Sequence, residues 1–430
     1  MDRPPSPGGG AAPVPPCTWR GGLAAAGLGM LIVLLASAAA GGASGSERLL
    51  AYFTPEDVAR GNAYMHGRYW LYAAGIALRL AALALLIVTP ASAALRNLAV
   101  RLAPAHPTLA VAAYLAILLV GLELLVLPLA YYSGFVREHA FGLSTQTAAG
   151  WLLDRAKGAL VSLAVGVPVG VLLVTLWRRY PGRWVLPAWA LAVATTLLLV
   201  ALAPVVIDPL FNTIRPLQDA ELRPRVLRLA QRAELPVSEV YESDASRRTR
   251  KGNAYFTGLG ATKRIVLYDT LVRGSRPEEV ELILAHEMGH WKHAHIWQGL
   301  LLSAAAIGIA LWAGARALEW AAGRPALHLA GPADVAGVPV FLLAVYLLSL
   351  LSLPVQTAIS RHFERQADRA SLVLTENPAA FISAEVSLAR SNLADLTPPA
   401  PLVWLLYTHP PVLERIRMAE EFKTAMTKSP

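Results

Sequence analysis

Residues 279–315 read EVELILAHEMGHWKHAHIWQGLLLSAAAIGIALWAGA, an amphipathic half followed at once by an apolar half. Glu279–His293 reads as one helix. Helix positions four apart share a face, so His286 and His290 aim at one point, with Glu287 on the adjoining turn. Two imidazole ligands plus a carboxylate that takes a proton from metal-bound water make the zinc-peptidase pattern HExxH. From Ile296 to Ala315 the chain is uncharged and long enough to cross ~30 Å of hydrocarbon at ~1.5 Å per residue. The two halves predict a metal helix running nearly straight into a membrane span. That puts the metal at the membrane surface or just inside it.

The rest of the chain supplies the frame. Of its 430 residues 55% are hydrophobic and 16% charged, whereas a soluble enzyme carries about a quarter charged residues. The apolar excess falls in long runs, which makes this a multi-pass protein of the lipid bilayer. The net charge of +9 does not point to nucleic acid. Lys and Arg cluster at the ends of apolar runs and in polar segments, as a membrane protein with a cytoplasmic face requires. The single cysteine, Cys17, excludes an intrachain disulfide and a cysteine metal site.

Residues 1–19 are rich in Pro, Gly and Ala and are expected to be disordered. Residues 20–207 hold five expected spans: Gly21–Gly42, Trp70–Pro90, Leu109–Val136, Ala159–Trp177 and Trp184–Ile207. The first also resembles a cleavable signal peptide; the spans that follow at once favour a retained helix. Glu47–Arg68 is polar and expected at the interface. Arg79 and Glu123 fall near mid-membrane. Each is costly there unless it faces protein or water, so they either pair or line an interior chamber. Residues 208–295 form a first polar segment, 296–359 hold two more spans (Ile296–Ala315 and Val338–Ile359), and 360–430 form the last polar segment. An odd number of spans separates the chain ends but leaves the two polar segments on one side. Arg215, Arg223–Arg232, Arg361, Arg365 and Arg369 make that side cytoplasmic by the positive-inside rule, against Arg178, Arg179 and Arg183 opposite.

Within the first polar segment Leu217–Glu234 predicts an amphipathic helix exposing Arg223, Arg225, Arg228 and Arg232. Val237–Glu242 predicts a short strand, and Asn253–Phe256 with Arg264–Tyr268 a hairpin. The fold class is therefore mainly α: about seven transmembrane helices plus a helical peptidase part with a small hairpin or sheet. In 360–430 the expected helices are interrupted at Thr397–Pro401 and at His409-Pro410-Pro411.

A peptidase zinc needs a third protein ligand and an open position. A metzincin would place a histidine at 296, which is Ile296. His293 and His295 lie close by, and the simpler reading is a polar cap before the next span. The better candidate is Glu364, in SRHFERQAD at 360–368, where a helix begins as the seventh span leaves the membrane. Asp368 sits one turn on and either holds the second ring nitrogen of a liganding histidine or pairs with Arg365 or Arg369. His409, before two prolines, reads by itself as a turn residue.

Seven motifs now stand in a fixed order: TPE at 54–56 with Gly61 and Tyr64, DPLFN at 208–212, NAYF at 253–256, RIVLYDT at 264–270, HEMGH at 286–290, ERQAD at 364–368, and HPP at 409–411 with Glu414-Arg415. This set, from about residue 50 onward, resembles the type I CAAX prenyl proteases, multi-span membrane zinc endopeptidases. The resemblance implies one zinc ion held by His286, His290 and Glu364, with Glu287 as general base and Asp368 behind the ligands. It implies that Asn253 and Ala254 lie on an edge strand that pairs with an extended substrate, in β-augmentation. It implies that His409 stabilises the oxyanion, with Arg415 nearby for substrate or for support. Gly252 departs from the small hydroxyl residue expected before Asn253. The resemblance also implies spans ringing a large chamber, which would give Arg79 and Glu123 a wet surface.

The function expected is zinc-dependent peptide hydrolysis on a peptide or protein substrate, a lipidated C-terminal tail among the candidates. The expected location is the inner membrane of a bacterium, with the site facing the cytoplasm. A broader quality-control protease uses the same chemistry on another substrate. A zinc-tied scaffold would have no use for Glu287 and would close its site with four protein ligands. A transporter reading rests on Arg79 and Glu123 alone.

Overall fold

The computed structural model describes residues 47–428 apart from 236–238, 259–263 and 332, together with Gly29. The expectations for residues 1–19 and for the span Gly21–Gly42 lie outside the described residues, as does part of Val237–Glu242. Among the described residues six helices are long and apolar enough to cross a membrane. They fall where the other six spans are expected: α1 (Pro55–Val88), α3 (Pro107–Tyr131, continuing to Ala140), α4 (Ala148–Arg179), α5 (Val185–Leu202, continuing to Phe211), α8 (His295–Ala322) and α9 (Val338–Thr375). A shorter helix, α2 (Ala91–Leu102), links the first two.

These helices overshoot the bilayer. The 34 residues of α1 span roughly 51 Å at ~1.5 Å per residue, against ~30 Å of hydrocarbon. Glu47–Arg68, expected at the interface, largely forms the start of this helix instead. Thr54 caps it, accepting from the Asp57 amide at 3.1 Å while Asp57 accepts from the Thr54 amide at 3.0 Å, with Pro55 at the first helical position. That is a reciprocal N-terminal cap, and it accounts for the TPE motif. Gly61 has a separate reason. A Cβ there would lie 2.2 Å from the Ala394 carbonyl oxygen, so only glycine lets α1 touch the C-terminal segment.

The α4, α5 and α8 windows are each only 6% buried. A packed bundle covers at least one face of every helix; walls one helix thick are what a chamber requires. Glu123 and Arg79 do not pair with each other. Glu123 meets Arg155 of α4 at 2.5 Å, and Arg79 reaches the Gly75 carbonyl one turn back at 3.3 Å.

The polar segments form one further body. Four strands, β1 (Ile214–Pro216), β2 (Val240–Ser243), β3 (Ala254–Thr257) and β4 (Arg264–Tyr268), lie in the order β1-β2-β4-β3. The hairpin β3–β4 is antiparallel, β4 runs parallel to β2, and β3 is an edge. Helix α6 (Leu222–Arg232) starts later than Leu217, and only Arg228 and Arg232 of its arginines are fully exposed; Arg223 and Arg225 fold onto acidic partners. The metal helix α7 (Pro277–Lys292) packs over the sheet with α6, burying Val226, Leu229, Ile265, Leu284 and Met288. Helices α10 (Pro378–Ser391), α11 (Ala400–Leu406) and α12 (Val412–Lys428) complete the body, broken near Thr397 and at His409–Pro411 as expected.

Two joints differ from the sequence reading. Helices α7 and α8 are not one straight rod: Ala294 between them takes φ 54°, in the left-handed region, which ends α7 and re-aims the chain. And Glu364 does not open a new helix. It lies well inside α9, whose 38 residues continue the last span without a break. That rigid continuation carries the predicted third ligand out of the membrane region to the metal helix.

Candidate metal centre and active site

The close approach of α7 and α9 builds the centre. A Cβ on Gly289 would lie 2.9 Å from Ala367 Cα and 3.0 Å from its carbonyl oxygen, so the two backbones touch there. This contact brings one face of α7, with His286 and His290, against Glu364. Ligand atoms of the three residues lie within 4.8 Å of one another. His286 Nε2 is 3.2 Å from Glu364 Oε2, His290 Nε2 is 3.4 Å from Glu364 Oε1, and the two Nε2 atoms are 3.1 Å apart.

The outward ring nitrogens are held from behind. His286 Nδ1 meets Asp368 Oδ1 at 2.8 Å. His290 Nδ1 meets His295 Nδ1 at 2.9 Å, and His295 Nε2 meets Gln366 Oε1 at 2.8 Å. Such partners fix the ring planes and leave both Nε2 atoms for a metal. Asp368, fully buried, takes two bonds from Arg415, at 2.9 Å from Nε and 2.5 Å from Nη2, while Arg415 Nη1 lies 2.7 Å from Glu385 Oε2. All three guanidinium nitrogens of Arg415 thus face carboxylates. Of the two expected pairings for Asp368, neither Arg365 nor Arg369 is used; Arg365 meets Glu414 at 2.7 Å.

The charge balance suits a cation. Four carboxylates, Glu287, Glu364, Asp368 and Glu385, share one guanidinium. Glu364 Oε2 is buried without a hydrogen bond; the histidine nitrogens near it lack hydrogen-bonding alignment. Burial acts to lower both imidazoles. At His286 the Asp368 and Glu364 carboxylates outweigh it and hold the group at about 10, whereas burial and the neighbouring His286 drop His290 to about 4. The carboxylates thus already draw positive charge to this point. Two imidazole nitrogens and a carboxylate oxygen converging on it form the donor set of a catalytic divalent metal site.

Around the centre is a cavity of about 400 Å³ lined by Asn253, Ala254, His286, Glu287, His409 and Arg415, among others. Glu287 lies on the sheet side, bonded to the Phe256 backbone; burial raises its pKa, against the pull of His286. His409 reaches in from the α11–α12 turn, its Nε2 3.2 Å from Glu364 Oε2 and its Nδ1 3.0 Å from Thr408 Oγ1. Its side chain is 58% exposed, unlike the ligands.

Residues 216–423 match peptidase family M48, and residues 43–213 match the CAAX prenyl protease N-terminal region, described as five membrane helices. The metalloprotease YhfN of Bacillus subtilis is 33% identical over 87% of this chain and 88% of its own. The chain belongs to the CAAX prenyl protease family of membrane metalloproteases. A CAAX prenyl protease 1 homolog of Oryza sativa is 30% identical over 72% of this chain and 73% of its own, and CAAX prenyl protease 1 of Saccharomyces cerevisiae is 38% identical over 43% and 42%. The crystal structure of S. mikatae Ste24p superposes with a TM-score of 0.79 at 25% identity, covering 94% of this chain and 99% of that one. Membership of this metalloprotease family makes the chain a peptide hydrolase that uses a metal.

The structure brings His286, His290 and Glu364 to one point with Asp368 behind His286, beside a cavity lined by His286, Glu287, His409 and Arg415 with Asn253 and Ala254 at its β3 rim. Sequence reasoning missed His295 and Gln366 as a brace for His290, because their contact depends on how α8 re-aims after Ala294. It also missed Glu385, whose surroundings in AEVSLAR carry no motif. The legible but unused signal was Arg415: a buried guanidinium between helices needs more than one carboxylate.

Proposed function

We propose that this protein is a zinc-dependent endopeptidase that trims a protein's C-terminal tail, including lipidated tails, at the cytoplasmic face of a bacterial inner membrane. The observation carrying this reading is that the His286, His290 and Glu364 ligand atoms meet beside both Glu287 and β3, a strand edge without a partner among the described residues. The neutral imidazole and carboxylate donors suit zinc, and a metal held there supplies Lewis acidity towards water and the scissile carbonyl.

The chain's own groups do the rest. The open edge of β3, beginning beside Asn253 and Ala254, pairs with an extended substrate and fixes the scissile bond over the centre. Glu287, raised by burial towards the working pH, takes the proton from the attacking water and passes it to the leaving amine. His409, which lines the cavity with its Nε2 3.2 Å from Glu364 Oε2, donates an N–H to the oxyanion. Asp368 and Arg415 hold His286. Arg415 is assigned to support, because both its acidic partners are buried with it.

The lipidated-tail assignment draws on the relatives named CAAX prenyl protease 1, and the bacterial setting on YhfN. The tail assignment is tested by offering the purified, zinc-analysed protein a farnesylated C-terminal peptide and a misfolded membrane protein. Cleavage of the peptide alone is expected. Cleavage of the misfolded protein alone would replace tail processing with quality control. Glu287→Gln is expected to keep one zinc per chain and to lose at least ~100-fold in turnover; substantial residual activity in that variant overturns its role as base.

A further inference from the structure

On the face of the α7–α9 contact away from the substrate cavity lies a second cavity, of about 550 Å³. Its floor is apolar, made by Ala285, Met288, Gly289, Ala370, Val373 and Leu374. Its rim carries Arg232 of α6, Lys292 and His293 at the end of α7, and Arg369 of α9, and no acidic residue lines it. Arg232 donates to the Leu374 carbonyl oxygen. Among the described residues no carboxylate pairs with Arg232, Lys292 or Arg369, whereas neighbouring arginines are neutralised: Arg225 by Glu278, Arg223 by Glu239, Arg365 by Glu414. Three cations from three different helices, left without counter-charges around one concavity, hold a standing positive potential there.

The place of the cavity says what fills it. Lys292 and His293 immediately precede α8, whose apolar run starts at Ile296, so this end of the rim lies where that span meets water. A ligand that fits has an anionic group for the rim. We propose that this cavity binds the headgroup phosphate of an anionic phospholipid, with the acyl end of the lipid directed past His293 towards α8. Electrostatic attraction to an anionic leaflet brings the lipid to the rim, and the convergence of three cations on one concavity then distinguishes one seated headgroup from a diffuse charge layer.

The site also has a route to the metal centre. Gln366 lines this cavity and holds His295, which holds His290. Ala285 and Gly289, in its floor, directly precede His286 and His290 in the chain. A seated headgroup therefore braces the helix contact that brings the ligands together.

The test uses the full chain as Glu287→Gln in detergent, so that binding is read without proteolysis and independently of the peptidase reading. Dioctanoyl phosphatidylglycerol, dioctanoyl phosphatidylcholine and inorganic phosphate are titrated separately, with native mass spectrometry and thermal shift as readouts. One phosphatidylglycerol is expected to bind with saturation. Lys292→Gln with Arg369→Gln is expected to weaken it roughly 30-fold, about fivefold for each cation removed, while the lipid-free melting temperature stays within a few degrees of the parent. Arg232→Gln alone supplies a second reading should the double variant fail to fold, and is expected to weaken binding about fivefold. Equal binding of phosphatidylcholine, or unchanged affinity in the variants, overturns the proposal. Inorganic phosphate binding as tightly as the lipid overturns the lipid assignment.

Discussion

Arg361 Nη1 lies 2.7 Å from the carbonyl oxygen of Tyr407, two residues before His409. The same nitrogen donates to the Val403 carbonyl at 2.8 Å, and one turn earlier on α9 Thr357 Oγ1 donates to the Trp404 carbonyl at 2.6 Å. Tyr69 of α1 adds a bond to Tyr407 Oη at 2.6 Å and one to Asp395 at 2.8 Å. The face of α9 that carries Glu364 and Asp368 therefore also ties down the turn that carries His409.

If that anchor positions His409, Arg361→Gln removes the bonds to the Val403 and Tyr407 carbonyls and lets the turn drift. Turnover is expected to fall about tenfold to a hundredfold, with KM changed little, since ångström displacements of a donor cost that much. Arg361→Lys should recover part of the loss. Combining Arg361→Gln with His409→Ala should be no slower than His409→Ala alone; steady-state kinetics on the four variants checks this, and additive losses sink the positioning role.

His295→Phe keeps the ring stack on Phe363, whose centroid is 4.2 Å away, but removes the nitrogen facing His290. Metal affinity is expected to drop about 10- to 100-fold, as for other residues that orient a ligand from behind. Competition with a chelator measures it directly. Unchanged affinity would mean that His290 is held by α7 alone.

Gly289→Ala drives a methyl into the Ala367 backbone at 2.9–3.0 Å. Overpacking of this kind costs about 1–3 kcal/mol. Here the strain separates the helices that carry the ligands, so a lower melting temperature should come with weaker metal binding. A control substitution on the exposed face, Arg228→Ala, should change neither.

Burial raises the carboxyl of Glu385, with Arg415 opposing and Asp368 adding to the rise. A raised acid binds its proton more tightly in the folded state than in the unfolded one. Its contribution is therefore complete below the ordinary glutamate range and is lost as pH rises through the folded value, which lies near 7. The melting temperature of the metal-loaded wild type, compared with Glu385→Gln, should decline between about pH 4.5 and pH 7. A flat difference across that range would place Glu385 as a permanently ionised partner of Arg415.

The motif residues were legible because their chemistry is local. HExxH fixes two imidazoles on one helix face by helical period alone, and apolar runs of sufficient length declare spans whatever they later touch. Counting spans put Glu364 on the side of His286, and the hairpin around β3 followed from strand alternation and its turn. Three things stayed hidden because each depends on how separate elements meet. The break at Ala294 swings α8 so that His295 turns back onto His290. The length of α9 is decided by continuous backbone hydrogen bonding, so that a membrane span carries Glu364 with it. The partners of Arg415 come from α9 and α10, and Glu123 finds Arg155 on the neighbouring span α4. The sequence by itself determined the candidate ligand pair His286 and His290, the candidate base Glu287 and the membrane frame, since helical spacing and composition suffice for those, and span counting offered Glu364 as the third candidate. Only the tertiary structure decided what braces each ligand and which cations were left without partners, because long-range charge pairing has no period to read.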